Sequence, residues 1–142
     1  MSEKVISEIK DVFEIQRLKS LYCETVDILN DPAAVTTRLA AALAEDARAQ
    51  FGHLGPFAGR QAIINYVLND MGPALAWAWH AVHTPLIDID GDTATGHWTL
   101  DLRVKLKMAP ETVHSSPGRY VDKFQRTQDG WRISSLLWIN ES

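Results

Sequence analysis

The chain has 142 residues, of which 46% are hydrophobic and 23% are charged, and its net charge is −4. This length accommodates one folded domain with a sizeable core, and no apolar run approaches the roughly 20 residues of a membrane-spanning helix. The acidic balance argues against nucleic acid as a partner, because phosphate binding requires concentrated positive charge. We therefore expect a single domain over residues 1–142 with neither a membrane nor a nucleic acid as partner.

The first residues and the cysteine content indicate in which cellular compartment the protein is expected. Residues 1–4 lead into a charged amphipathic run that lacks the apolar core and cleavage site of a secretory signal. Cys23 is the single cysteine, so no internal disulfide can form, and no base is placed beside it in the sequence. We expect a cytoplasmic protein in which Cys23 is a small buried residue.

The N-terminal half of the chain predicts three helices. Apolar residues recur at helical spacing over residues 3–29, and the run Asn30-Asp31-Pro32 ends this helix. The alanine- and leucine-rich residues 33–44 predict a second helix. A short strand is predicted at 47–52, before a turn rich in glycine and proline, and residues 61–68 predict a short third helix.

The C-terminal half changes to the two-residue period of strands. Strands are predicted at 79–89, 93–107, 119–126 and 131–139, with a loop containing Pro110 and Pro117 in the middle. In the second of these strands, alternate residues form an apolar face: Ala94, Gly96, Trp98, Leu100, Leu102 and Val104. Helices followed by antiparallel strands predict an α+β fold.

Short motifs spread over nearly the whole chain occur in the order of one known family. They comprise residues 15–27, 44–47 and 55–63, His80, and residues 90–94, 118–122 and 129–133. In this ordered set the chain resembles the SnoaL-like group of the NTF2-like superfamily. The resemblance is more specific for fold than for reaction, because one fold hosts many activities.

The resemblance implies a cone-shaped fold in which three N-terminal helices pack against a curved, mainly antiparallel sheet that encloses a pocket. Members of the superfamily include scytalone dehydratase, lindane dehydrochlorinase, polyketide cyclases and ketosteroid isomerases, and others are non-catalytic binding or assembly subunits. A small hydrophobic or aromatic ligand is the implied partner, and no cofactor or metal is implied.

Asp27 and His80 are the candidate catalytic residues. In the dehydratase and dehydrochlorinase relatives, an Asp late in the first helix pairs with a His at the start of a strand, and these two residues match those positions. A carboxylate that accepts one imidazole N–H fixes the tautomer, so that the other nitrogen can remove a proton from carbon. Alternatively, Asp27 helps to end the first helix and His80 is a core histidine bonded to backbone.

The other four histidines fit a catalytic role less well. His83 follows His80 by three residues and therefore points to the opposite face of an extended strand, unless a bulge intervenes. His97 lies on the face opposite Trp98, and His53 and His114 are expected in solvated loops. Their spacing matches no known three-histidine metal site.

Aromatic residues could contact the substrate. Tyr22, five residues before Asp27, could donate a hydrogen bond to a substrate carbonyl, or it could be a core aromatic. The chain has five tryptophans, and some of them, with Trp98 as our candidate, could line a pocket for a flat, apolar ligand, whereas Trp131 looks structural.

Asp122 is the second candidate acid. It lies between Tyr120 and Phe124 on one strand face, and we expect all three to contact the substrate. A carboxyl group between two aromatic rings could be an acid/base group with a raised pKa. It could equally be an ion-pair partner for an arginine such as Arg119 or Arg103.

Three functions follow from these residues. The first is a cofactor-free lyase or isomerase that acts on a hydrophobic cyclic substrate through Asp27 and His80. The second is a non-catalytic ligand-binding or assembly domain, and the third is a polyketide cyclase that uses Asp122 or Asp27 without an essential histidine. We also expect a homodimer or homotrimer through the outer sheet face, which the apolar residues 136–139 would suit.

Overall fold

The computed structural model describes residues 1–142, and its first two elements are helices. Helix α1 spans Glu3–Val26. Ser2 caps its N-terminus, because the Ser2 hydroxyl accepts the N–H of Val5. Helix α2 spans Pro32–Ala42, with Pro32 in its first turn and the Asp31 carboxylate accepting the N–H of Ala34. Both predicted helices are confirmed, and α1 ends somewhat earlier than predicted.

The third helix is longer than predicted because it changes its hydrogen-bonding pattern instead of ending. Helix α3 spans Arg60–Tyr66, continues as a π-helical turn over Val67–Met71, and ends in the short helix α4, Gly72–Ala74. A π turn widens a helix locally, and such turns are common beside functional sites. Here the widened turn is followed by α4, which leads directly into the strand that begins at Leu75.

Six strands form one open sheet. They are β1 Leu43–Phe51, β2 Leu54–Ala58, β3 Leu75–Asp90, β4 Thr93–Leu106, β5 Ala109–Thr127 and β6 Gly130–Asn140. Their order is β2-β1-β6-β5-β4-β3, and β1 and β6 are the one parallel pair. Three helices packed against this mainly antiparallel sheet confirm the predicted α+β architecture.

Two predicted loops are wrong. Strand β2 occupies most of the predicted Gly/Pro turn, and β5 begins at Ala109, so Pro110 and Pro117 lie within a strand. The register explains this, because β5 pairs with β4 from His114 opposite Val104 onward without a break. Proline is compatible with a strand position that does not need an N–H donor.

The core lies between the helices and one face of the sheet. Ile15, Leu39 and Ile133 are completely buried there, together with the inward face of β4 that the alternation predicted. No helix is both long enough and apolar enough to cross a bilayer.

An ion pair connects α1 to the C-terminal end of β5. Asp11 is buried on α1, and its two oxygens accept hydrogen bonds from the Arg126 guanidinium, both at 2.9 Å. The indole N–H of Trp131 donates to the same carboxylate at 3.0 Å, and Arg126 also reaches Asp92 at 3.0 Å. Trp131 is therefore structural, as predicted.

Candidate active site

A cavity of about 480 Å³ opens between α1, the π turn and the concave face of the sheet. Its wall is mostly apolar, with Asp70, His80 and Ser116 as the exceptions. The lining residues are Tyr22, Val26, Phe51, Leu54, Tyr66, Val67, Asp70, Met71, Ala74, Leu75, His80, Leu102, Val104, Ser116, Tyr120 and Trp138. A pocket of this kind, with few polar groups, suits a small hydrophobic ligand.

Aromatic side chains make up part of the cavity wall. The Tyr66 ring stacks on Phe51 at 5.6 Å between centroids with an interplanar angle of 24°. In the sheet, Phe51 is the register partner of Trp138, which in turn is the partner of Tyr120. An apolar cavity lined by aromatic side chains favours a hydrophobic or aromatic ligand.

Asp27 and His80 meet where the C-terminal end of α1 contacts β3. Asp27 follows the last residue of α1 as its C-cap, and His80 lies on the inward face of β3. The Asp27 Oδ1 and the His80 Nδ1 are 2.6 Å apart. The same carboxylate accepts the backbone N–H of His80, at 3.0 Å to Oδ1 and 3.2 Å to Oδ2.

This geometry determines which imidazole nitrogen is available for chemistry. An ionised Asp27 can only accept a hydrogen bond, so the proton of the neutral imidazole resides on Nδ1 and Nε2 keeps its lone pair. The His80 side chain is 8% exposed and contributes to the cavity wall, whereas Asp27 does not. The His80 ring therefore lies at the cavity wall, and the Asp27 carboxylate contacts the ring from outside the cavity.

The remaining histidines lie away from this arrangement. His83 and His97 are exposed on the outer side of the sheet, and His53 is exposed in the turn between β1 and β2. His114 is exposed as well, but it lies on β5 and not in a loop. No group of three His, Cys, Asp or Glu side chains is placed to hold a metal ion.

Two of the predicted substrate contacts, Tyr22 and Tyr120, reach the cavity wall. Their rings meet edge to face, with 6.3 Å between centroids and an interplanar angle of 90°. Burial raises the pKa of both phenols well above the usual value. Both residues therefore stay protonated at neutral pH, and a protonated phenol is a hydrogen-bond donor.

Asp122 does not line the cavity, which corrects its predicted contact with substrate. It is completely buried and pairs with Lys19 at 2.7 Å, so the predicted arginine partner is wrong. Arg103 pairs instead with Asp101, and Arg119 with Glu141. Burial raises the pKa of Asp122, while the adjacent Lys19 ammonium opposes the rise.

Trp98 and Phe124 are also core residues and not part of the cavity wall. The two rings contact each other at 5.9 Å between centroids, and both side chains are buried. The alternation that places them on the inward face was read correctly. The structure does not place these two rings at the cavity, because the inward face of the sheet extends well beyond the cavity wall.

Several residues of the cavity wall and its surroundings were not predicted from the sequence. Lys19 occupies the apolar side of α1, at helical spacing between Ile15 and Tyr22, and a lysine on that stripe was the signal. Trp138 belongs to an apolar run that alternation divides into an inward and an outward set. Asp70 and Ser116 carry no comparable signal, because the π turn and the extension of β5 place them.

Cys23 fits the predicted role of a small buried residue. Burial raises the pKa of its thiol to about 11, so the thiolate is scarce at neutral pH. The residue does not line the cavity. A covalent reaction through this cysteine has no geometric support.

Comparison with protein families gives one match over most of the chain. The family described as SnoaL-like domain matches residues 7–136. No curated protein sequence matches the chain significantly.

Solved structures of the same architecture are numerous. A hexachlorocyclohexane dehydrochlorinase, LinA type 2, is 17% identical with a TM-score of 0.86, and the match covers 96% of this chain and 89% of that one. An NTF2-like protein from Novosphingobium aromaticivorans is 22% identical with a TM-score of 0.81, covering 98% and 87%. The Kfla4162 protein from Kribbella flavida is also 22% identical, with a TM-score of 0.81 and coverage of 95% and 93%. At these identities the likeness shows the fold alone.

Proposed function

Because this chain belongs to the SnoaL-like domain family, we propose that it is a cofactor-free lyase or isomerase acting on a small hydrophobic cyclic substrate. The observation that carries the proposal is the 2.6 Å contact between Asp27 Oδ1 and His80 Nδ1 beside an apolar cavity. Two hydrogen bonds from one residue, through its ring and its backbone N–H, hold the carboxylate in a fixed position.

In the proposed reaction, His80 is the base. Its Nε2 takes a proton from a carbon atom of the substrate, and Asp27 stabilises the imidazolium that results. In an elimination, the electron pair of the broken C–H bond forms a carbon–carbon double bond and expels a hydroxide or halide from the adjacent carbon. When a halide leaves, the imidazolium releases its proton to water. An expelled hydroxide recovers the proton from the imidazolium and leaves as water. In an isomerisation, the proton returns to a different carbon.

The surroundings of His80 support this chemistry. Removing water from an apolar cavity strengthens the electrostatic interactions within it. Tyr22 and Tyr120 are neutral donors on the same wall and can bind the oxygen of a substrate carbonyl. Among proteins of this fold, LinA type 2 is named as a dehydrochlorinase, and others are scytalone-dehydratase-like, so eliminations are the reactions to test first.

A substitution experiment tests the proposal. Purified protein is incubated with a panel of hydroxylated and chlorinated cyclic ketones and cyclohexanes, and the alkene product and released chloride are measured. For a compound that turns over, His80→Ala should lower kcat/KM by about 10²–10⁴, the usual contribution of a positioned base. Asp27→Asn should also lower kcat strongly, because an amide can favour the wrong imidazole tautomer.

His83→Ala is the matched control, since His83 lies on the same strand but is exposed on the outer side. It should leave turnover unchanged. Turnover that survives in His80→Ala would remove the dyad from the mechanism. A cavity that binds these compounds but converts none of them would favour the ligand-binding function instead. The polyketide cyclase alternative has one candidate acid fewer, because Asp122 is paired with Lys19 and does not line the cavity.

A further inference from the structure

Lys19 and Asp122 form an ion pair that no part of the proposed reaction uses. The Lys19 Nζ lies 2.7 Å from Asp122 Oδ2, and both side chains have no exposed surface. The pair connects the C-terminal third of α1 to the C-terminal third of β5. It is thus a second buried charged group, distinct from Asp27 and His80.

Stability alone gives no reason for such a pair. Removing two charges from water costs more than their attraction usually returns, and well-packed apolar residues of the same size often serve the fold as well or better. The Asp11–Arg126 pair differs in this respect, because the Arg126 side chain is 37% exposed and keeps part of its hydration. The location of Lys19 and Asp122 therefore calls for an explanation from their neighbours.

The nearest aromatic neighbours are the two tyrosines of the cavity wall, and the ring of Trp98 lies farther away, at 5.6 Å from the Lys19 Nζ. The Lys19 Nζ lies 3.2 Å from the centroid of the Tyr120 ring and 4.8 Å from that of Tyr22. A cation over a ring face is attracted to that ring and restricts its movement. The positive end of the ion pair thus contacts the back of the aromatic wall, and the two edge-to-face rings separate it from the cavity.

We propose that Lys19 and Asp122 are positioning residues that hold Tyr22 and Tyr120 as fixed, neutral hydrogen-bond donors toward an oxygen anion in the cavity. The inference rests on the proposed function, because abstraction of a proton beside a carbonyl group leaves an enolate oxygen that needs such donors. It narrows the substrate class to flat cyclic ketones or phenol-like compounds whose oxygen faces the tyrosines. The pair itself neither gains nor loses a proton.

Binding of 2-naphthol tests the proposal without turnover. This flat phenol has neutral and anionic forms that differ in absorbance, so its pKa can be measured in the bound state. The wild-type protein should lower that pKa relative to free 2-naphthol. The double variant Lys19→Met/Asp122→Leu replaces the pair by apolar side chains of similar size. In this variant the pKa of bound 2-naphthol should be about one unit higher than in the wild type, a tenfold change in the ionisation constant.

The chain offers a matched control for this variant. Asp11→Leu/Arg126→Met removes the other ion pair between α1 and β5, which also contacts an aromatic ring but lies away from the cavity. It should leave the pKa of bound 2-naphthol as in the wild type. Other ionisable groups on the cavity wall are unchanged in both variants: Tyr22, Tyr66, Asp70, His80 and Tyr120.

Each result bears on the proposal. Equal bound pKa values in the wild type and Lys19→Met/Asp122→Leu would overturn it, and so would a wild-type cavity that does not bind 2-naphthol. If the double variant does not fold, Lys19→Met alone replaces it, because a buried unpaired Asp122 takes up a proton and becomes neutral. His80→Ala should keep the lowered pKa, so failure of the His80 mechanism and failure of the positioning pair give different results.

Discussion

At the scale of single residues, Asp27 performs two tasks that the sequence presented as alternatives. It is the residue that ends α1, and its carboxylate accepts both the ring and the backbone N–H of His80. A helix end is a suitable place for this, because a side chain there is free to turn away from the helix axis. The two interpretations of Asp27 therefore describe one residue and do not exclude each other.

Lys19 gives a residue-scale prediction about stability. In Lys19→Met, Asp122 loses its counter-charge, so its pKa, already raised by burial, rises further. The folded state then holds a proton that the unfolded chain releases above about pH 4. The free energy of unfolding of the variant should be closest to that of the wild type near pH 4–5. Above that range it should fall by about 1.4 kcal/mol per pH unit, until the pH exceeds the pKa of Asp122 in the folded variant.

Urea denaturation at pH 5 and pH 8 measures this effect. Lys123→Met is the control, because Lys123 adjoins Asp122 in the sequence but is exposed, and its effect should be small at both pH values. A loss of stability in Lys19→Met that is the same at pH 5 and pH 8 would contradict the assignment of Asp122 as the titrating group.

The site residues show how far residue patterns lead. Asp27 and His80 were found because the family resemblance places them, whereas their spacing of 53 residues carries no signal by itself. Lys19 was missed because a lysine on a helix is ordinarily solvated, and only its position between Ile15 and Tyr22 marks it as buried. The pairing with Asp122 depends on how α1 crosses β5, which no local pattern encodes.

At the scale of elements, periodicity predicted the helices and the four long strands, and it failed where strands begin. Pro110 and Pro117 indicated a loop, yet long-range pairing with β4 keeps β5 extended from Ala109. The same extension carries Ser116 to the cavity wall. Strand ends could therefore not be predicted from the local sequence, because cross-strand hydrogen bonds and not side-chain preference determine them.

Alternation within β6 separates two roles that the sequence analysis had merged. Leu136 and Trp138 face inward, to the core and the cavity, whereas Leu137 and Ile139 face outward. The predicted apolar run is thus half interior and half surface. Only its outward half can contribute to an interface between subunits.

At the scale of the whole molecule, the outer sheet face predicts self-association. Trp79 on β3 and Ile139 on β6 are 42% and 41% exposed on this face, Trp77 and Leu137 are exposed beside them, and outward residues of β4 and β5 lie between the two groups. Apolar surface of this kind is typical of interfaces. We expect a homodimer or homotrimer through this face, and Leu137→Lys should shift it toward the monomer in light scattering coupled to gel filtration.

Met108→Lys is the control for that variant, because Met108 is exposed in the turn between β4 and β5. It should leave the molar mass unchanged. A wild-type protein that is monomeric at micromolar concentration would show that the outer face has no such role.

The central claim is that His80, supported by Asp27, removes a proton from carbon inside the cavity. The most direct measurement is deuterium incorporation from D₂O into flat cyclic ketones, followed by mass spectrometry, because it detects proton removal even when nothing is expelled. We predict incorporation with the wild type and His83→Ala, and a loss of about 10²–10⁴ in rate with His80→Ala. Equal incorporation by the wild type and His80→Ala, or none above the protein-free rate with any ketone, would contradict the claim.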